Sequence, residues 1–149
     1  MIEQITHHNN LLAIIIRANY KKEGISFFTP GDFSQQLGYM NRAKGYVIDP
    51  HVHNLVERKV TLTQEALYVK TGKVRVDFYD DDRTYLESRI VETGDVILLA
   101  AGGHGFEMLE DTEMIEIKQG PYCGDEDKVR FEHKPENINL ISNKNEPEL

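Results

Sequence analysis

Two histidines one residue apart, His51-Val52-His53, are the first feature of this sequence whose types and spacing could do chemistry. On a β-strand, residues two apart project from the same face, so both imidazoles would point one way and could chelate one ion. Taken alone, the pair reads more readily as surface or turn histidines. Other reactive side chains lead elsewhere. Asp80-Asp81-Asp82 lacks the spaced ligands of a calcium loop and reads as a solvated turn. Cys123, within Gly120-Pro121-Tyr122-Cys123-Gly124, has no neighbouring histidine or cation cluster to activate it and reads as a loop cysteine. His7-His8 reads as exposed N-terminal sequence, because adjacent strand residues face opposite ways.

The surroundings of His51 and His53 add weight. Gly45 stands six positions before His51, and Glu65 is followed seven positions later by Gly72. Further on, Gly94-Asp95-Val96-Ile97-Leu98-Leu99-Ala100-Ala101-Gly102-Gly103 leads into His104. Together these residues resemble the two sequence motifs of the cupin superfamily, over roughly residues 43–118. The first motif runs glycine, HxH, glutamate, glycine; the second runs glycine, proline, glycine, histidine. The resemblance implies a jelly-roll β-barrel holding one divalent metal on His51, His53, Glu65 and His104. Two departures from the family pattern stand out. Eleven residues separate His53 from Glu65, more than the family's short gap, and Ala100 replaces the usual proline. Glu57 meets the short spacing and is the alternative ligand, but the interval after it ends at Gln64 rather than glycine. Reading Glu65 as the ligand makes residues 54–64 an enlarged loop. Imidazoles with one carboxylate suit Zn, Fe(II), Mn, Ni or Co. Four protein ligands on an octahedral ion would leave two positions for water or substrate.

Positioning such a set requires strands. Short apolar or alternating runs separated by turn signals predict strands at 11–17, 26–28, 46–53, 65–70, 73–79, 84–91, 96–99, 104–109 and 113–118, with one helical turn at 32–37 capped by Asp32. This pattern predicts an all-β sandwich or barrel with short N-terminal strands. If Glu65 points inward, alternation brings Leu67 and Val69 with it; if His104 does, Phe106 and Met108 follow. Tyr46, Tyr68 and Tyr79 could offer hydroxyls to a ligand, though aromatic strand residues more often build core. The consecutive apolar residues Val96 to Leu99 need cover on both faces, from the N-terminal strands or from a second subunit. Residues 132–149 are polar and predict a mobile tail, or an arm that orders against a neighbouring subunit.

The 149 residues suit a single domain, and 17 basic against 25 acidic residues give a net charge of −8. No Lys/Arg cluster interrupts that excess, which argues against a nucleic-acid partner. The apolar run at 11–16 falls far short of the roughly 20 residues needed to cross a bilayer, and no membrane role is expected. The start, Met-Ile-Glu-Gln, does not read as a secretory signal, and one cysteine permits no internal disulfide; a cytoplasmic protein is expected. By analogy with small single-domain cupins, the chain is expected to be a homodimer. It is expected to act as a metal-dependent enzyme on a small polar metabolite such as a sugar derivative, in the manner of an isomerase, an epimerase or an Fe(II) dioxygenase. The alternative is a non-catalytic module that binds a small ligand and reports through its dimer.

Overall fold

The computed structural model describes residues 1–133 and 135–142. Ten strands follow in order: β1 (Ile2–His7), β2 (Asn10–Ile16), β3 (Gly24–Phe27), β4 (Gly38–Asn41), β5 (Glu65–Thr71), β6 (Lys73–Tyr79), β7 (Tyr85–Glu92), β8 (Val96–Leu99), β9 (Gly103–Met108) and β10 (Glu113–Lys118). A 3-10 turn at Gly124–Asp127 is the one helical element among the described residues. The strands form three antiparallel sheets, ordered β1-β2-β8-β5-β10, β3-β4 and β7-β6-β9, and none closes on itself. The expected all-β class holds at that level.

The core lies between the larger two sheets. Ile5, Ile15, Leu67, Val69, Ile97 and Leu99 of the five-stranded sheet meet Val74, Val76, Phe78 and Val91 of the three-stranded sheet. Alternation does this work: along β5, Glu65, Leu67 and Val69 are buried while Tyr68 and Lys70 face out. On β8, Ile97, Leu98 and Leu99 are all buried, so both faces are covered as the apolar run required. Gly72 makes the β5–β6 turn possible. Its φ of +99° suits glycine, and a Cβ there would collide with Asp111 and Thr112, which pack over the turn.

Four local expectations need correction. Residues 46–53 form no strand, because no neighbouring strand pairs with them, and Pro50 withholds a donor. Residues 32–37 make turns rather than a helical turn. Gln36 donates to the carbonyls of Pro30 and Phe33, and the Leu37 N–H goes to Thr29 Oγ1, so side chains claim the backbone groups a helix would use. The C-terminal stretch is not wholly an arm awaiting a neighbour. The Ser88 N–H donates to the Asn139 carbonyl at 2.9 Å, the Ile141 N–H donates to the Ser88 carbonyl at 3.0 Å, and Asn139 N–H reaches the Tyr85 hydroxyl. Residues 134 and 143–149 of that stretch lie outside the described residues. Finally, Phe106 and Met108, expected inside with His104, are 39% and 49% exposed, on a strand that ends its sheet among the described residues.

Candidate functional site

Glu65 opens β5, one strand in from the edge of the five-stranded sheet, and is paired in register with Leu99 on one side and Lys118 on the other. His104 lies on β9, the edge of the three-stranded sheet, opposite Phe78. The two sheets bring them together, with His104 Nε2 3.2 Å from Glu65 Oε2. Glu65 is buried and His104 half-buried. Glu65 Oε1 faces Lys118 Nζ at 3.4 Å, and Lys118 also pairs closely with Asp127, which accepts from Thr63 Oγ1 at 2.8 Å.

This chain of polar groups sets the electrostatics. The hydrogen bond from His104 holds the Glu65 carboxyl below its ordinary value; burial opposes it, and the His104 and Lys118 charges reinforce it. Asp127 is likewise lowered, chiefly by Lys118 and then by Thr63. A carboxylate kept ionised beside an imidazole can coordinate a cation, orient the imidazole, or hold a proton donor at a polar substrate.

The two histidines that opened the sequence argument lie elsewhere. His51 and His53 sit in the strand-free segment between β4 and β5, residues 42–64, which meets the body again at residues 59–64. Their rings are 5.3 Å apart, close enough to share one partner, and the His51 Nδ1 contact is with the Asp49 carbonyl at 3.0 Å. Both side chains are exposed, as is Glu57. The structure therefore joins Glu65 to His104 and leaves His51, His53 and Glu57 apart. Among the described residues no three His, Cys, Asp or Glu side chains converge as a metal site within one chain.

Lys118 and Asp127 are members of the cluster that the sequence reading missed. Alternation along β10 carried the signal for Lys118, since Met114, Glu116 and Lys118 share the face turned toward β5's buried residues. Of the tyrosines, Tyr46 lies under the Arg42 guanidinium and Tyr68 faces outward. Tyr79 is buried against Phe131 and His133, and that burial raises its pKa. Asp80 makes the expected turn, accepting from the Thr84 N–H, and Cys123 is exposed. No described helix is long and apolar enough to cross a membrane.

A cavity of about 980 Å³ lies away from these groups and is bordered by Glu3, Arg17, Asp95 and residues 140–142. Its charged groups are tied to one another, so size alone does not mark it as a reactive site. In comparisons with known proteins, no family model, no curated protein and no solved structure matches the chain.

Proposed function

We propose that the chain is a metal-binding cupin, its two larger sheets being the halves of a jelly-roll barrel, and that it is an enzyme acting on a small polar metabolite such as a sugar derivative. One observation carries the reading. Glu65 and His104, far apart in sequence and on different sheets, meet at 3.2 Å in the gap between β9 and β10. Each belongs to a different one of the two motifs. His51 and His53 supply the remaining imidazoles, and the mixed N/O set suits Zn, Fe, Mn, Ni or Co. When bound, such an ion supplies Lewis acidity toward a carbonyl or vicinal oxygens. The chain's own part is to keep Glu65 ionised through His104 and Lys118, and to line the gap with groups that hydrogen-bond a polar ligand.

A second reading draws on one feature of the same cluster: both Glu65 oxygens already have protein partners, His104 and Lys118. In that case the groups close the sheets together and the protein is a small-ligand-binding module without catalysis.

Metal content of untagged full-length protein, measured by mass spectrometry, separates the two. The expected result is near one equivalent of a transition metal per chain. His51→Ala and His104→Ala should lose it, and Glu65→Gln should lose it while Glu57→Gln keeps it. Folded protein that contains no metal and refuses added zinc, cobalt or manganese leaves the binding module as the better account.

A further inference from the structure

We infer that the site is shared between two copies of this chain: residues 42–63 of each copy dock on the open β9 and β10 edges of the other, delivering His51 and His53 to the partner's Glu65 and His104. The metal part of this inference rests on the proposed function; the docking part does not.

Three observations on the arm and the edges carry it. First, among the described residues, 43–58 make no hydrogen bond or ion pair with the body, whereas 59–63 return along it and Thr63 donates to Asp127. Among the described residues, the segment's one backbone–backbone hydrogen bond is a turn, Tyr46 N–H to the Ala43 carbonyl. Its side chains are nevertheless those of a buried strand: Val52 is 90% and Leu55 104% exposed, and Val47, Val56 and Leu62 are exposed as well. A soluble chain does not leave such a run in water without an occupant for it. Yet the return of the arm is fixed to its own body. Gln64 accepts from Ser34 Oγ and the Gln35 N–H, and its carbonyl accepts from the Gln119 N–H.

Second, the body has matching vacancies in its hydrogen bonding. Among the described residues β10 ends the five-stranded sheet and β9 ends the three-stranded one, and the outer edge of each is unpaired there. The other free edge of the three-stranded sheet, β7, is bridged by Leu140. A strand added to β9 would place residues of one face about 5 Å from their opposite numbers. His51 and His53, two apart, would share the face of His104 and cover the exposed Phe106 and Met108.

Third, the charges are complementary. Residues 42–63 carry four Lys/Arg against two Asp/Glu, whereas residues 103–118, from the start of β9 to the end of β10, carry five Asp/Glu and one Lys. Glu107, Glu110 and Glu113 have body cations; Asp111 and Glu116 make no ion pair among the described residues. Because arm and edges belong to the same chain, one two-fold contact satisfies both arms and both edges at once.

Complementation tests the shared site. A His51→Ala/His53→Ala chain and a Glu65→Gln/His104→Ala chain, each full length, should bind no zinc alone. Refolded together at equal amounts, random pairing into a two-fold dimer should restore about one-quarter of wild-type zinc. A site built within one chain restores none, which would overturn the sharing. A second measurement needs no metal. Asp49→Cys and Phe106→Cys, in separate Cys123→Ser chains, should be joined by a short bismaleimide into a covalent dimer. Cross-linking between chains with no zinc taken up by wild type sustains the docking and ends the metal reading. A monomer at all concentrations, with the cross-link forming only within an Asp49→Cys/Phe106→Cys chain, shows the arm closing on its own body and overturns the inference; so does no cross-link at all.

Discussion

Two polar clusters tie the five-stranded sheet to the three-stranded sheet, one at each side, and they differ in how fully their charges are answered. On the β1/β7 side, Glu3 accepts from Arg17 Nε at 2.6 Å and from Arg89 Nη1 at 3.1 Å. Arg17 Nη1 reaches Asp95 at 2.7 Å and the Ile90 carbonyl at 2.6 Å, and Asp95 also accepts from the Ala18 and Glu92 N–H groups. The carboxylates there are buried and each has several donors. On the β9/β10 side, Glu65 is equally buried, but its partners His104 and Lys118 are half-exposed and border open strand edges. A saturated cluster has no capacity left for a ligand, whereas a cluster at an unfilled edge retains it. The same chemistry, charge buried between sheets, is a staple in one place and a site in the other.

The sharpest way to break the contrast is Arg17→Met. It strands Glu3 and Asp95 without their shared cation and should cost about 3–5 kcal/mol, read as a lowered midpoint in urea denaturation. A smaller loss of the same kind is expected from Ser88→Ala. Ser88 is fully buried, donates to Asp77 and bonds the Tyr85 hydroxyl, so its removal should cost roughly 1–3 kcal/mol. On the open side, Lys118→Met should leave the urea midpoint nearly unchanged, since its ammonium is reached by solvent, which screens the pair. Val52→Ser/Leu55→Ser should leave the melting of the isolated chain nearly unchanged, because both side chains are exposed in it. Sedimentation should nonetheless show association weakened, as burial of each in a partner would have contributed roughly 1.5–3 kcal/mol.

The smallest effect is one of pH, in metal-free protein. Glu65 has its pKa lowered on folding, so its contribution to stability is present above the ordinary carboxylate value and is lost as pH falls through the lowered one. His104→Ala removes the largest cause of that lowering. The acid limb of the stability curve should therefore be shallower in the variant, with less stability lost on acidification, measured by thermal melts across the acid range.

How much was legible beforehand follows the same division. β6, β8 and β10 run where their apolar residues and flanking turn residues put them, because each is paired along at least one edge with a neighbour of matching length. β1 was missed, since its alternation mixes Glu3 with Ile5 and its charge is buried only by pairing with Arg17 and Arg89. β4 was missed because four residues that pair only with β3 leave little periodic signal. Glu65 and His104 were named from the resemblance to the cupin motifs, and their meeting depends on how the two sheets stack. The strand expected around His51 had strand-like residue types, but residues 46–53 pair with no strand among the described residues, and residue type alone does not supply a neighbour to pair with.

The arm also precedes its docking surface in the order of synthesis. Leu55 leaves the ribosome 49 residues before His104, which at about 5–20 residues per second is a delay of roughly 3–10 seconds. During that interval no copy of β9 or β10 on the same chain exists to cover Val52, Leu55 or Val56. The nearest finished edges are those of chains completed earlier on the same message. Local crowding of ribosomes, rather than dilution into the cell, would then govern how quickly each arm is sheltered and how often it meets a chaperone first.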